Sequence, residues 1–299
     1  MNIKTLIEKF YSYAVTYKGY SKETIRRFEN VLSTYCKLYA IHSPGDITVQ
    51  NVQDLFYVGR TTRKWTTNTF HVYHKSLMVF FRWCKENGYI LTNPIEHIPL
   101  PKLEKRLPKK LTKQEAFILL EIIDNYPHQN SFLRYRNYAI FATFIYAGLR
   151  KSELLNIKYA DIDIENLTIF VRQGKGAKDR IIPICQALKV ILLKYIMVRQ
   201  KLHITCPSFF TSSVQNSGLT VLGLKYFHNN LRRAFGSNFT IHQLRHTFAT
   251  LMIEGGCDIY SLSKMMGHAQ ITTTTIYLSA SVEHLRTQIS KHPMDALVL

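Results

Sequence analysis

Four short segments of this chain gather side chains suited to handling a phosphate. AGLRKSELLNI carries Arg150 just past Gly148, and GKGAKDR carries Lys175, Lys178 and Arg180. IHQLRHTFAT places His242 and Arg245 three residues apart, and MMGHAQITTTTIY sets Tyr277 nine residues after His268. Residues at a spacing of three share one face of a helix, so His242 and Arg245 can act on a common target. Two guanidiniums can grip the nonbridging oxygens of one phosphate and stabilise the added charge of a five-coordinate phosphorus. A phenol, with a pKa of about 10, is protonated at neutral pH and needs a nearby base or a strong cationic field to attack. A leaving alkoxide needs a proton, which a lysine on a hairpin can deliver. The sequence has no GxxxxGK[ST] loop for ATP. Its nearest acidic cluster for Mg²⁺, Asp161-Ile162-Asp163, enters a strand. The set reads as phosphoryl transfer by cations, imidazoles and a phenol, with no cofactor or metal called for.

Such side chains need a scaffold, and the apolar pattern supplies one. Ile3, Leu6, Ile7, Phe10 and Ala14 recur at helical spacing, as do Ile25, Phe28, Val31, Leu32 and Tyr35 behind a Ser21 cap. A shorter helix follows Thr48, and a longer one runs from about Thr67 to a stop at Gly88. Four such helices make a small bundle over residues 1–92. The segment 93–110, NPIEHIPLPKLEKRLPKK, threads Lys and Arg between four prolines. Proline withholds backbone donors, so an extended basic connector is expected there, suited to lying along phosphates.

A second domain, 111–299, opens with the capping box Thr112-Lys113-Gln114-Glu115. A long helix covers about 135–147 and stops at Gly148, with Ser152 as a cap for the next. Asp161 to Arg172 and Arg180 to Ile184 read as two strands joined by a Gly-rich turn. Helices are expected over about 186–202, 223–235, 241–254, 258–266 and 272–278. The fold class is mainly α with a small antiparallel β-sheet, in two domains.

Lys and Arg number 39 against 20 Asp and Glu, a formal charge of +19. That excess calls for a polyanionic partner, and nucleic acid is the commonest. No amphipathic basic segment concentrates the charge for a membrane surface, and no run of about 18 apolar residues could span one. The N-terminus does not read as a signal peptide. Five cysteines (Cys36, Cys84, Cys185, Cys206 and Cys257) lie far apart with no CxxC pair, which suits a reducing, cytoplasmic compartment beside the nucleoid.

The ordered set Arg150, Lys175, His242-x-x-Arg245, Gly267-His268 and Tyr277 resembles the signature of the tyrosine recombinase (phage integrase) family, most like its Xer branch of chromosome-dimer resolvases. The likeness covers GLRKSELLNI, the strand–GKGAKDR–strand hairpin, HQLRHTFAT and GH followed by TTTTIY, and extends over essentially the whole chain. It implies a site-specific DNA recombinase that cuts and rejoins double-stranded DNA through a 3′-phosphotyrosyl bond and a Holliday junction, in dimer resolution or in mobile-element integration and excision. In that resemblance Arg150 and Arg245 bind the scissile phosphate and His268 donates a further hydrogen bond to it. His242 is the acid/base group near the nucleophile, Lys175 the general acid for the 5′ oxygen, and Tyr277 the nucleophile. The division of labour between Lys175 and His242 stays open. Lys178 and His246 lie inside the same motifs, but backbone contact or core packing accounts for them as well, and they are left out.

The family's architecture is a C-shaped clamp, with a helical core-binding domain on one face of the duplex and the catalytic domain on the other. It also implies a tail, about 280–299, whose Val282, Leu285 and Ile289 dock on a neighbouring protomer within a homo- or hetero-tetramer open to an accessory activator protein. Two other classes share part of this pattern. A DNA-binding regulator without chemistry explains the charge but not the six-residue set. A type IB topoisomerase shares the chemistry but works as a monomer, which leaves the tail without a purpose.

Overall fold

Each of the first four helices begins at a residue whose side-chain oxygen accepts from its own first turn. Asn2 precedes α1 (Ile3–Thr16), Ser21 precedes α2 (Lys22–Leu38), Thr48 precedes α3 (Val49–Thr61) and Thr66 precedes α4 (Thr67–Glu86). These caps satisfy amide groups that the helices leave orphaned. The buried stripe of α1, at Ile3, Leu6, Phe10 and Ala14, repeats every three or four residues and meets the stripes of α2 and α4. Phe10 sits at the middle, edge-on to Phe28 and Phe80 with ring centroids 5.1 and 5.2 Å apart. This bundle is the core of a unit spanning Met1–Lys105; a second unit spans Arg106–Leu299. In the computed structural model the described residues are 1–103, 107–172, 179–213 and 216–280. The expected tail positions Val282, Leu285 and Ile289, and Lys175 and Lys178, lie outside them.

The segment 93–110 is not extended from its start. Residues 94–97 form a turn, Ile95 is fully buried in the first unit's core, and Asn93 Oδ1 accepts from the Ile95 amide. His74 and His71 on α4 then donate through Nε2 to the carbonyls of Ile98 and Pro101. The apolar Ile95 and the two imidazoles hold the segment to the bundle, which proline content alone does not reveal.

The second unit is built on α6 (Ser131–Ala147), which is apolar on nearly every side and buried along most of its length. Around it pack α5 (Lys113–Asn125), α8 (Gln186–Lys201) and α10 (Ile241–Glu254). A helix apolar all round belongs inside a domain. Beyond Gly148 comes the short α7 (Lys151–Asn156). Its N-cap is Arg150 and not Ser152: the Arg150 amide donates to Glu153 Oε2 at 2.7 Å, so the carboxylate closes the turn that a serine was expected to cap.

The sheet has three antiparallel strands in sequence order: β1 (Ile162–Asp163), β2 (Thr168–Val171) and β3 (Arg180–Pro183). The single strand expected from Asp161 to Arg172 is thus two, broken by a turn in which Asp163 takes both the amide and the side chain of Asn166. Leu167, at φ +54°, completes the reversal. The remaining helices are α9 (Val221–Phe235), α11 (Ile259–Met266) and α12 (Ile276–Ala280). The helix expected over 272–278 is a short 3₁₀ turn, Ile271–Thr273, followed by α12. Four consecutive threonines disfavour an α-helix, and the buried Thr274 hydroxyl is engaged by His268.

Candidate active site

Three turns of the second unit bring the reactive side chains together. The first is the exit from α6. Gly148 adopts φ +60°, and a Cβ there would stand 2.2 Å from the Phe248 ring on α10, so the reversal needs glycine. Two residues later Arg150 caps α7. The second is the exit from α11, where Gly267 at φ +61° turns the chain and a Cβ would press on the Arg180 guanidinium at 3.0 Å. His268 follows at once. The third is the first half of α10, which presents His242, Arg245 and His246.

Glu153 is the hub of the cations. Its carboxylate is buried and accepts from Arg150 Nη1 at 2.7 Å, from Arg180 Nη1 and Nη2 at 2.9 and 2.8 Å, and from the Arg150 amide. Burial pushes its pKa up, but the Arg180 and Arg150 hydrogen bonds outweigh that and hold the carboxyl down at about 2. Arg245 lies 4.0 Å from the same carboxylate. Three guanidiniums therefore share one carboxylate among the described residues, which leaves an unneutralised positive field.

Carbonyl groups at or beside the chain reversals aim all three of these arginines. Arg150 Nη2 donates to Gly267 O at 3.0 Å, and Arg180 Nε donates to Met265 O at 2.8 Å. Arg245 is 2% exposed and donates to Gly148 O and Met266 O, each at 2.6 Å. Its burial, followed by repulsion from Arg150, lowers its pKa to about 10, which leaves it charged at neutral pH.

Arg245 Nη2 also lies 3.2 Å from His268 Nε2. A guanidinium has only donors, so this imidazole nitrogen accepts and the ring proton sits on Nδ1, which donates to Thr274 Oγ1 at 2.8 Å. Burial first, then Arg245, Arg150 and Arg180, push the His268 pKa down to about 4. The ring is neutral and, in this arrangement, accepts from Arg245 through Nε2, where the family resemblance implies a donor to the phosphate.

Tyr277 is 3% exposed, packed with Phe248, Ile253, Leu262 and Met266 in a small cluster of its own. Burial raises its pKa, against which Arg245 and then Arg150 pull it down. Its hydroxyl lies 2.8 Å from His246 Nδ1. Burial, then His242 and Arg245, press the His246 pKa down to about 4, so this imidazole too is neutral. The His242 ring lies against that of His246, the two 4.4 Å apart and nearly perpendicular. It is exposed and borders a cleft of about 420 Å³ together with Arg150, Lys151, Lys225 and His228. Burial, then Arg245 and Arg150, lower its pKa.

Of the six residues expected from sequence, five (Arg150, His242, Arg245, His268 and Tyr277) thus converge on one locality, while Lys175 lies outside the described residues. Of three further participants, Glu153 was missed, Arg180 was noted without a role, and His246 was ascribed to packing or backbone contact. Glu153 was readable only as the third residue of a capped helix, and Arg180 only as one of the cations of the hairpin segment. His246 had a clearer signal, since it lies four residues after His242 and so on the same helical face.

A model of the phage integrase family matches residues 109–284. The chain is 31% identical over 298 residues to the tyrosine recombinase XerA of Pyrococcus horikoshii, covering 98% of this chain and 95% of that one. It is 30% identical to the tyrosine recombinase XerC of Bacillus licheniformis, with 98% and 97% covered. Its fold resembles the XerH site-specific recombinase solved in a post-cleavage complex with palindromic difH substrate, with a TM-score of 0.71 and 22% identity over 89% of this chain and 79% of that one.

Proposed function

The chain belongs to the phage integrase family of tyrosine recombinases, and we propose that it performs site-specific recombination by cutting and rejoining double-stranded DNA through a 3′-phosphotyrosyl bond to Tyr277. One observation carries this reading: a buried tyrosine hydroxyl, paired to a neutral imidazole, stands in the field of arginines that outnumber their carboxylate partner.

The geometry of the described residues supports the following roles, and the family resemblance supplies that of Lys175. A phosphodiester entering the cleft beside Arg150 and His242 meets the first turns of α9 and α10, whose positive dipole ends favour an anion. Arg150 and Arg245 bind its nonbridging oxygens and take up the charge that develops on the five-coordinate phosphorus. Their rigid aim comes from the Gly267, Gly148 and Met266 carbonyls. His268 supports Arg245, and Lys175 protonates the departing 5′ oxygen. His242 faces the cleft, where it can hydrogen-bond the phosphate or pass a proton. The tyrosyl link conserves the energy of the broken phosphodiester, so a free 5′ hydroxyl from a second duplex can attack it, pass through a Holliday junction and rejoin without ATP. Two cuts on each of two sites need four protomers, and a tail reaching from one to the next would couple them. The errand, dimer resolution or movement of an element, is one of site and partner, not of chemistry.

The test is trapping. Sheared genomic DNA from cells carrying this chain is incubated with the purified protein, adducts are recovered after denaturation, and the recovered sequence is rebuilt as a duplex nicked beside the cut. The wild type should accumulate a covalent adduct on that duplex and Tyr277→Phe should not. No adduct on any fragment would leave a DNA-binding protein without this chemistry. Relaxation of any supercoiled plasmid without exchange between sites would instead favour a topoisomerase.

A further inference from the structure

We propose that His246, rather than His242, is the base that takes the phenolic proton when Tyr277 attacks. The proposal rests on the reading of Tyr277 as the nucleophile and assigns the unfilled role beside it.

Three observations place His246 there. Its Nδ1 is 2.8 Å from the Tyr277 hydroxyl, within reach for direct proton transfer. Its ring centroid is 5.6 Å from that of Tyr277, and the two rings are inclined at 49°, so the contact is through the hydroxyl and not a stack. His242, the histidine that sequence points to first, has its ring 4.4 Å from that of His246 and borders the cleft. The Tyr277 hydroxyl is therefore paired with His246, while His242 is exposed at the cleft.

The step balances simply. As the Tyr277 oxygen bonds to phosphorus, its proton passes to His246 Nδ1, and the bond from phosphorus to the 5′ oxygen breaks with a proton supplied from the opposite side. In rejoining, a 5′ hydroxyl attacks and gives its proton back to the group on the opposite side, and His246 returns its proton to the departing phenolate. The charge of His246 is set by the groups facing it: Tyr277 from α12, His242 and Arg245 from its own helix, and His268 from the turn after α11. Burial first holds the imidazole neutral while the site is empty, and the charges of His242 and Arg245 add to it. A bound phosphodiester brings negative charge that offsets them and makes the ring a better base at the moment of attack.

The experiment uses the full chain and the trapped duplex, with single-turnover cleavage as readout. In His246→Asn the side-chain oxygen can still accept from the Tyr277 hydroxyl where Nδ1 did, but it cannot carry a proton. The expected result is a fall of roughly 100-fold or more in adduct formation, in the range of lost general-base catalysis, with DNA retention unchanged. His246→Ala should fall similarly and recover in added imidazole. A duplex whose 5′ bridging oxygen is replaced by sulfur, a leaving group that needs no acid, should restore Lys175→Ala but not His246→Asn. Cleavage by His246→Asn within a few-fold of wild type would overturn the proposal and leave His246 as a positioning residue. So would restoration by the sulfur substrate, or a loss in His246→Ala that imidazole does not relieve. Absence of any adduct in the wild type would instead fall on the reading of Tyr277 itself.

Discussion

Glu153 shows how much of this site depends on a residue that does no chemistry. Without it, Arg150 and Arg180 would be two partly buried cations facing Arg245, with nothing between them. Its carboxyl is held at about 2, below its ordinary 4.5, because the guanidinium hydrogen bonds outweigh burial. A group whose pKa is lower folded than unfolded stabilises the fold fully above its unfolded value, and that contribution is lost as the pH falls toward its folded one. Glu153 should therefore stabilise the second unit at neutral pH and lose that contribution between about pH 4.5 and about 2. Glu153→Gln removes the charge and leaves the arginines facing each other, which should cost on the order of 3 kcal/mol at pH 7. Urea unfolding of both proteins at pH 7 and pH 3 checks this: the gap between them should narrow on acidification. A gap that stays constant would mean the carboxylate is not the stabilising charge.

At the scale of elements, the site is made by chain reversals more than by helices. Gly148 and Gly267 each adopt a left-handed backbone beside an arginine anchor, the first offering its carbonyl to Arg245 and the second to Arg150. Gly148→Ala sets a methyl group 2.2 Å from the Phe248 ring on strained backbone. Strain and overpacking together should cost about 3 kcal/mol, read as a drop in the thermal midpoint, and should weaken phosphate binding because Arg245 loses its aim. An unchanged midpoint would show that α6 and α10 can separate without cost. Such reversals were partly legible in sequence. Gly148 announced a helix stop because glycine tolerates positive φ, and the caps at Ser21, Thr48 and Thr112 stood where polar residues precede apolar periodicity. The break of one expected strand into β1 and β2 was not legible, since Leu167 carries no sign of positive φ. Ile95 likewise reads as part of a proline-rich connector, because its burial depends on α4 arriving from elsewhere in the chain. The same limit explains His246. Its helical face could be read from spacing, but its partner lies thirty-one residues away and only the packing of α12 on α10 brings them together.

At the scale of the whole chain, the surplus of 39 basic over 20 acidic residues is more than the site consumes. If that surplus meets phosphates along a duplex, binding releases condensed counterions and weakens steeply with salt. Affinity for the trapped duplex should fall about 10³-fold or more between roughly 50 and 200 mM salt, as for six to ten phosphate contacts. Titration by fluorescence anisotropy measures it, and a flat response would confine the contacts to the cleft. Beneath charge, reversals and hub lies one central claim, that the Tyr277 oxygen becomes joined to a 3′ phosphate. The most direct measurement is to digest the denatured adduct with nuclease and trypsin and to locate the phosphorylated residue by mass spectrometry, while 5′-end label tells which DNA end is blocked. The predicted result is a nucleotide on the peptide containing Tyr277, attached through its 3′ phosphate, with the 5′ hydroxyl end free. A nucleotide on any other residue, or a 5′ linkage, would contradict it.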